Sequence, residues 1–360
     1  MLDCFRDIPL NDWNNWKWQQ NHSLTQPKQL QDIGIEVPCT PFRMAITPYY
    51  ANLIDFDAQA CPLRQQVLPS KKEMETNQGL YQNFNISDSL DEEKHTVAPN
   101  LIHKYPDRAL LLVTSNCFQY CRFCTRKRIT AHESDKYINI DAACDYLRTH
   151  KQIHDILISG GDPLTLEDGE LEKIFISLRQ ISHIKTIRIG TRAPVVLPMR
   201  ITDALVNMIR QFHPVWINTH FNHVSEITCE AAIACEKIIN AGIPLGNQSV
   251  LLRGINNNVL TYKELCMRLI EMRIRPYYLY QCDLGIGTEH FRTSIQDGLD
   301  IISNLQGFTP GYAVPTYVID APNGGGKIPV FPETIVDRKD GLVYLKNYSG
   351  NIYTYPEPKI

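Results

Sequence analysis

The second two-thirds of the chain alternates short apolar runs with segments whose apolar residues recur every three or four positions. The runs are "ALLLVTS" (109–115), "HDILISGG" (154–161), "IKTIRIGT" (184–191), "VWINTHF" (215–221), "PLGNQSVLL" (244–252) and "PYYLYQCD" (276–283). Consecutive apolar positions are typical of parallel strands covered on both faces, and the three- and four-residue spacing predicts amphipathic helices between them. Six such units predict an α/β fold, a partial (β/α)6 TIM-like barrel with right-handed crossovers.

The pattern divides the chain into three predicted regions. Residues 1–100 are expected to form a helical N-terminal extension, with "DWNNWKWQQ" packed on the body of the protein. Residues 101–310 hold the predicted barrel. Residues 311–360 hold a Gly-rich, lysine-containing loop and a short C-terminal β-hairpin, "GLVYLKNYSGNIYTYPE", in which Ser-Gly supplies the turn.

Polar residues follow the predicted strands, where the loops of a parallel barrel converge on one mouth. They are Cys117, "SGGD" (159–162), "GTR" (190–192), "THFNH" (219–223), "NQS" (247–249) and "CD" (282–283). Six strand ends that all carry polar groups indicate an active site at this end of the barrel.

Composition narrows the class of protein. A net charge of -3 argues against indiscriminate binding to nucleic acid or to an anionic membrane surface. No apolar run approaches the roughly 18 residues of a membrane span, and the N-terminus lacks a signal-peptide core. We therefore expect a soluble cytoplasmic protein. Of the 11 cysteines, the eight outside one cluster are expected to be buried as small hydrophobic residues: Cys4, Cys39, Cys61, Cys144, Cys229, Cys235, Cys266 and Cys282.

The remaining three cysteines, in "TSNCFQYCRFCTRKR" (114–128), have the spacing CxxxCxxC. A structural zinc site usually takes four ligands, and His132 and Cys144 are the nearest further candidates. A ferredoxin-like carrier takes a fourth cysteine, and a buried trio would hold no metal. Over these three alternatives we favour a [4Fe–4S] cluster on Cys117, Cys121 and Cys124, which leaves one iron open to a small molecule.

A second candidate site lies in "IDAPNGGGKIPV" (319–330). The P-loop motif does not fit, because Ala321 and Ile328 stand where that motif needs Gly and Ser or Thr. The alternatives are a flexible surface loop and a mobile loop that presents Lys327 as an amine nucleophile for a Schiff base.

These motifs resemble those of a known family. CxxxCxxC with Phe123 before the last cysteine resembles the radical S-adenosylmethionine signature. Together with "LISGGDPL", "RIGTRAPVVLPMRIT", "NQSVLLRGIN", "PYYLYQCDL" and "DAPNGGGKIPV", it is similar to the lysine 2,3-aminomutase family over roughly residues 10–345. The resemblance implies a [4Fe–4S] cluster, S-adenosyl-L-methionine and pyridoxal 5′-phosphate, with the pyridoxal group on Lys327.

The resemblance also implies roles for individual residues. Tyr105 and Arg108 would contact pyridoxal phosphate, as would Lys104, which stands where the family often has arginine. The turn of Ser159, Gly160, Gly161 and Asp162, together with His220 and Gln248, would bind S-adenosylmethionine. For Arg192 a structural ion pair is as well supported as a role in the site.

For the substrate, the resemblance implies that Arg126 binds the carboxylate and that Asp283 and Asp320 receive a distal ammonium. Lysine is favoured and arginine stays open, whereas relatives that act on glutamate replace this aspartate pair. Lys127 and Arg128 are expected to be solvated cations. For either aspartate, helix capping or turn formation is the alternative.

Partners follow from the same resemblance. We expect a small-molecule amino acid substrate, a flavodoxin- or ferredoxin-like electron donor, and no nucleic acid or membrane. Longer relatives bind an intersubunit zinc through C-terminal cysteines, but no cysteine follows Cys282, so any homo-oligomer is expected to lack that contact. The alternative from another class is a zinc-binding interaction module that uses "CTRKR" as a basic patch.

Overall fold

The computed structural model describes residues 5–75, 84, 86–130 and 139–358, and one ten-stranded sheet forms its centre. Neighbouring strands from β3 to β9 are parallel, while β1, β2 and β10 add antiparallel pairs at the two edges. The strands are β1 (Thr96–Ala98), β2 (Leu101–Tyr105), β3 (Arg108–Thr114), β4 (Asp155–Gly160), β5 (Thr186–Gly190), β6 (Val215–Thr219), β7 (Leu245–Leu251), β8 (Arg275–Gln281), β9 (Thr316–Ala321) and β10 (Gly326–Pro329).

A helix follows each strand from β3 to β8 and covers the sheet. These helices span Asp141–Thr149, Asp168–Arg179, Asp203–Ile209, Cys229–Asn240, Val259–Glu271 and Ile295–Leu305. Several of these helices have an N-cap side chain that accepts a hydrogen bond from a backbone N–H of the first turn, as Thr228, Asn258 and Ser294 do. The predicted partial (β/α)6 barrel is confirmed, and β9 adds a further parallel strand. Within the described ranges, no helix is long and apolar enough to cross a bilayer.

The described N-terminal extension contains short helices at Leu10–Trp13, Trp16–Asn21, Pro27–Gln31, Pro48–Ala51 and Pro62–Val67, joined by irregular segments. The ring of Trp16 meets Phe118 edge-on at 6.3 Å between centroids, and the guanidinium of Arg200 lies 4.6 Å from the Trp16 ring. The tryptophan-rich segment therefore packs on the barrel beside the cysteine cluster. Two further short helices lie at Lys127–Thr130 and Ala193–Val196.

The C-terminal region contains a separate antiparallel sheet of β11 (Ile335–Lys339), β12 (Leu342–Lys346) and β13 (Ile352–Pro356). The predicted hairpin corresponds to β12 and β13, and β11 adds a third strand on the other side of β12. The main sheet itself continues past residue 310 through β9 and β10, so it is not divided there. The three-region division of the chain stays a prediction.

Glycine allows the ends of β3 and β4 to come together. Gly160 has φ of +132°, and a Cβ there would collide with the carbonyl oxygen of Thr114. A Cβ on Gly161 would collide with the carbonyl oxygen of Asn116. The backbone N–H groups of Gly161 and Asp162 donate to these same two oxygens, at 2.6 and 2.7 Å. The "SGGD" turn is thereby held against the start of the cysteine loop.

Candidate active site

A cavity of about 180 Å³ opens at the carboxyl ends of the parallel strands. The three clustered cysteines line it, and so do all six residues that the resemblance suggests for S-adenosylmethionine. Those lining residues are Ser159, Gly160, Gly161, Asp162, His220 and Gln248, with Arg126 and Arg192 beside them. The structure thus brings together groups that are separated by more than a hundred positions in the chain.

The environments of Cys117 and Cys124 disfavour bare thiolates. Burial raises the pKa of Cys117 well above its usual value, and the neighbouring Cys124 and Asp162 raise it further. Burial and the neighbouring Cys121 raise the pKa of Cys124. Were these thiols to ionise together, a cationic group between them would offset the burial and the mutual repulsion. In the described part of the chain, no three His, Cys, Asp or Glu side chains are grouped around a single-ion position. A [4Fe–4S] cluster places each thiolate on a different iron, so the donor set fits that group.

Arg192 joins the cysteine cluster to a buried polar network. Its Nη1 donates to Cys121 Sγ at 2.7 Å, and its Nη2 donates to Glu226 Oε1 at 2.6 Å and Gln66 Oε1 at 2.7 Å. The Glu226 side chain is fully buried, and it also accepts from Tyr50 at 2.8 Å. Arg192 therefore forms the structural ion pair considered for it, and in addition contacts a cluster cysteine, which the sequence did not indicate.

Two side chains in this cavity have buried polar atoms without a partner among the described residues. They are Nε2 of His220 and both amide atoms of Gln119. Burial and the adjacent Arg192 charge lower the pKa of His220 to about 3, so its imidazole is neutral. Asp162, by contrast, is fully engaged: it accepts from Thr191 Oγ1 at 2.7 Å and from the backbone N–H of Arg192 at 2.8 Å. Unpaired donors and acceptors in such a cavity fit a polar ligand such as S-adenosylmethionine.

A second group of predicted residues surrounds the hairpin of β9 and β10. Asp320 and Lys327 are direct cross-strand partners, and Lys327 Nζ donates to both carboxylate oxygens of Asp320 at 3.0 and 2.9 Å. The structure places Lys327 in a β-hairpin, where the sequence predicts a loop. Asn323 and Gly324 have positive φ in the turn, and Gly326, with φ of +81°, begins β10, so Lys327 is the second residue of that strand.

The hairpin of β2 and β3 meets Lys327 from the other side. The hydroxyl of Tyr105 accepts the backbone N–H of Lys327 at 3.0 Å, and the guanidinium of Arg108 lies 4.0 Å from the Tyr105 ring centroid. The centre of the Tyr280 ring lies 5.1 Å from Lys327 Nζ, a contact that the sequence did not predict. Tyr280 alternates with the buried Leu279 along β8, and that alternation would place it on the inner face of the sheet. An amine, a phenol and the cations Arg108 and Lys104 form a donor set that fits pyridoxal phosphate.

Asp283 follows β8 and belongs to the same group. Burial and the neighbouring Asp320 raise the pKa of Asp283 to about 7, against the lowering effects of Lys327, Arg126 and Lys104. The two aspartates therefore face a common space in which they repel each other. An additional cation in this space would relieve that repulsion.

Arg126 connects the two groups. It lines the cysteine cavity. Burial lowers the pKa of Arg126, but Glu92 and the more distant Cys124 and Asp320 raise it by more. Its guanidinium donates through Nε and Nη2 to Glu92 Oε1, at 2.9 and 2.7 Å. Glu92 is a contact that sequence reasoning missed.

The prediction that Lys127 and Arg128 are solvated cations is wrong. Lys127 is only 7% exposed, and it donates to Glu73 at 3.3 Å and to the carbonyl oxygen of Gly287 at 3.1 Å. Arg128 pairs with Asp88 at 2.9 Å. Both cations therefore anchor the cysteine loop to other parts of the chain.

The prediction for the isolated cysteines is also partly wrong. Cys144, Cys235, Cys266 and Cys282 are buried, but Cys39 and Cys229 are exposed and Cys61 is half-buried. Cys4 lies outside the described residues.

Comparison with known proteins identifies the family of this chain. Family models described as the radical SAM superfamily and as lysine-2,3-aminomutase match residues 111–262 and 302–360. The L-lysine 2,3-aminomutase of Clostridium subterminale is 46% identical over 99% of this chain and 87% of its own length. The glutamate 2,3-aminomutase of Clostridioides difficile is 42% identical over 95% of this chain and 82% of its own length.

Among solved structures, Streptococcus suis SuiB matches 64% of this chain and 51% of its own at a TM-score of 0.45 and 13% identity, which is too low to bear on function. The curated relatives, by contrast, match nearly end to end. On that identity and coverage, the chain belongs to the lysine 2,3-aminomutase family of radical S-adenosylmethionine isomerases.

Proposed function

We propose that this protein moves the α-amino group of L-lysine to C3 and so produces β-lysine, using pyridoxal phosphate in addition to the [4Fe–4S] cluster and S-adenosylmethionine that its superfamily implies. One observation carries the proposal. Arg126 lines the cysteine cavity and is near enough to Asp320, the partner of Lys327, for the charge of Asp320 to raise its pKa. This proximity supports a radical source and an amine-binding site that serve one reaction.

Each cofactor has residues in this chain that would hold it. Cys117, Cys121 and Cys124 would bind the cluster. The 159–162 turn, His220 and Gln248 would bind S-adenosylmethionine, and because His220 is neutral it does not repel the sulfonium cation. Lys327, Tyr105, Arg108 and Lys104 would bind pyridoxal phosphate. When bound, the cluster and S-adenosylmethionine would supply a 5′-deoxyadenosyl radical that takes hydrogen from C3, and pyridoxal phosphate would supply a covalent bond to the migrating nitrogen.

The charges around the second group favour a substrate with a cationic distal end. Arg126 would bind the α-carboxylate, since a planar guanidinium matches a carboxylate. Asp283 and Asp320 would receive the ε-ammonium, which would take over the position of the Lys327 ammonium once that amine is engaged by the cofactor. A glutamate side chain would place a third carboxylate beside these two, and like charges at such distances cost several kcal/mol. Arginine also has a distal cation and is the competing substrate.

Anaerobic turnover tests the proposal directly. The reduced protein, supplied with iron, S-adenosylmethionine and pyridoxal phosphate, is given labelled lysine, arginine or glutamate, and β-amino acid products are identified by mass. We expect product from lysine. Product from arginine or glutamate alone would refute the substrate assignment.

The role of Lys327 has its own test. Borohydride reduction of the pyridoxal phosphate-loaded protein should attach the cofactor to a peptide that contains Lys327, and the Lys327→Ala variant should carry no label there. A label on another lysine in the wild type would refute the assignment.

The remaining sequence predictions concern the cellular setting. They are a cytoplasmic location, a flavodoxin- or ferredoxin-like electron donor, and any self-association without a zinc-linked contact. Family membership argues against the zinc-binding interaction module. Metal analysis of anaerobically purified protein separates the two, since about four irons per chain fit a [4Fe–4S] cluster and a single zinc does not.

A further inference from the structure

A short acidic segment, residues 88–93, lies between the cysteine loop and the pyridoxal phosphate residues. Its Asp88 pairs with Arg128 at 2.9 Å, and the carbonyl oxygen of its Leu90 accepts from Lys104 Nζ at 3.0 Å. Its Asp91 packs against Gly324 so closely that a Cβ on the glycine would lie 2.8 Å from Asp91 Oδ2. The acidic segment therefore touches three separate parts of the site.

Glu92 is the member of the acidic segment that contacts Arg126. Its side chain is 5% exposed, and it is paired with an Arg126 side chain that is 22% exposed. Burial alone would raise the pKa of Glu92, but Arg126 and Arg128 outweigh it and lower the pKa, so the carboxylate is ionised near neutral pH. A buried carboxylate with two guanidinium neighbours is a fixed part of the site.

The contact uses only one edge of the guanidinium. Arg126 Nε lies 2.9 Å from Oε1 and 3.2 Å from Oε2 of Glu92, and Nη2 lies 2.7 Å from Oε1. Arg126 Nη1 makes no hydrogen bond to any of the residues that the structure describes. A guanidinium has five N–H donors in a rigid plane, so the edge formed by Nη1 and the second Nη2 hydrogen can still bind another carboxylate.

We propose that Glu92 is a positioning residue for substrate recognition: by fixing the Nε edge of Arg126, it keeps the opposite edge available for the carboxylate of the amino acid. The inference rests on the proposed function, in which Arg126 binds that carboxylate. The other contacts of the acidic segment hold this arginine in register with Lys104 and with the hairpin turn at Gly324.

A competing role predicts the opposite result. If Glu92 only occupied Arg126 until substrate displaced it, removing its carboxylate would free the arginine and tighten substrate binding. If Glu92 positions the arginine, its removal allows the Arg126 side chain to adopt several rotamers, and substrate binding weakens.

The test compares Glu92→Ala and Glu92→Gln with Glu93→Gln as the matched control. Glu93 is the adjacent acid; its side chain is 77% exposed, and its carboxylate lies 3.3 Å from Arg128, a bond that glutamine can still accept. Binding of lysine and of lysinamide, which lacks the carboxylate charge, is followed through the absorbance of bound pyridoxal phosphate in protein that holds its iron-sulfur cluster. Iron content and circular dichroism are recorded for each variant.

We expect Glu92→Ala to weaken lysine binding about tenfold, in keeping with loss of a charged contact, and to leave lysinamide binding unchanged. Glu92→Gln, which can still accept one hydrogen bond, should restore part of the loss, and Glu93→Gln should match the wild type. Tighter lysine binding in Glu92→Ala, or an equal change for lysine and lysinamide, would overturn the inference.

The design separates failure of this inference from failure of the proposed function. Should Glu92→Ala not fold, the lysine-to-lysinamide ratio of Glu92→Gln decides alone, and a ratio equal to that of the wild type overturns the inference. If Arg126→Lys weakens lysine binding but the Glu92 variants do not, only the positioning role is wrong. If wild-type protein binds lysine and lysinamide equally well, the carboxylate role of Arg126 fails, and this inference fails with it.

Discussion

Replacing Asp283 with asparagine tests the electrostatic basis of substrate choice. The pKa of Asp283 is raised to about 7 by burial and by Asp320. A shift from 3.8 to about 7 corresponds to about 4 kcal/mol against the charged form. A substrate ammonium bound here stabilises the carboxylate, so binding favours the ionised form. Lysine affinity should therefore rise as the pH increases through 7.

The magnitude follows from the fraction of Asp283 that is ionised. With a pKa of about 7, roughly a tenth is ionised at pH 6 and roughly nine-tenths at pH 8, so the Kd for lysine should fall about tenfold over that range. In Asp283→Asn this component disappears, and the affinity at pH 8 should fall by about 2–5 kcal/mol, the value for losing a desolvated charge pair.

The assay is a titration of pyridoxal phosphate-loaded protein with lysine at several pH values, followed by absorbance, in the wild type and in Asp283→Asn. Titration of the α-amino group of lysine itself affects both proteins equally, so the difference between them isolates Asp283. Identical pH dependence in the two proteins, or an unchanged affinity at pH 8, would refute the reasoning.

Three further predictions concern stability and assembly. Between about pH 4 and 7 the folded protein keeps a proton on Asp283 that the unfolded chain has released, so Asp283 lowers the stability of the fold as the pH rises. Asp283→Asn should therefore unfold at a higher urea concentration than the wild type at pH 8 but not at pH 4. Glu226→Gln weakens the buried partner of Arg192 at 2.6 Å and should lower the free energy of unfolding by about 3 kcal/mol, whereas an unchanged urea midpoint would contradict the buried network. Gly161→Ala would force a methyl group against the carbonyl oxygen of Asn116 and separate the ends of β3 and β4. We therefore expect a lower iron content with an unchanged helix content. Full iron loading would contradict that packing.

The sequence predicted the sheet and the general position of the site for a clear physical reason. Buried parallel strands leave consecutive apolar runs, and their carboxyl ends meet at one mouth, so polar residues such as Cys117, Ser159 and Asp283 could be grouped before their contacts were known. The resemblance then supplied the second group, including Lys327 and Asp320, and the structure places these two in one ion pair.

The contacts that escaped prediction join side chains far apart in the chain. Lys127 and Glu73 are 54 positions apart, Arg126 and Glu92 are 34 apart, and Arg192 and Cys121 are 71 apart. A buried ion pair leaves no periodic signal in either segment, because only the folded backbone brings the two charges together. A lysine or arginine in a run such as "TRKR" therefore looks like a solvated cation until its partner is seen.

Transfer of hydrogen from lysine is the most direct test of the central claim that the cysteine cavity and Lys327 serve one reaction. Lysine deuterated at C3 is incubated with the reduced protein, iron, S-adenosylmethionine and pyridoxal phosphate, and products are analysed by mass. We predict β-lysine, with deuterium appearing in the 5′-deoxyadenosyl group of recovered S-adenosylmethionine. Protein that holds its cluster and pyridoxal phosphate and cleaves S-adenosylmethionine, yet leaves lysine unchanged and transfers no deuterium, would contradict the account.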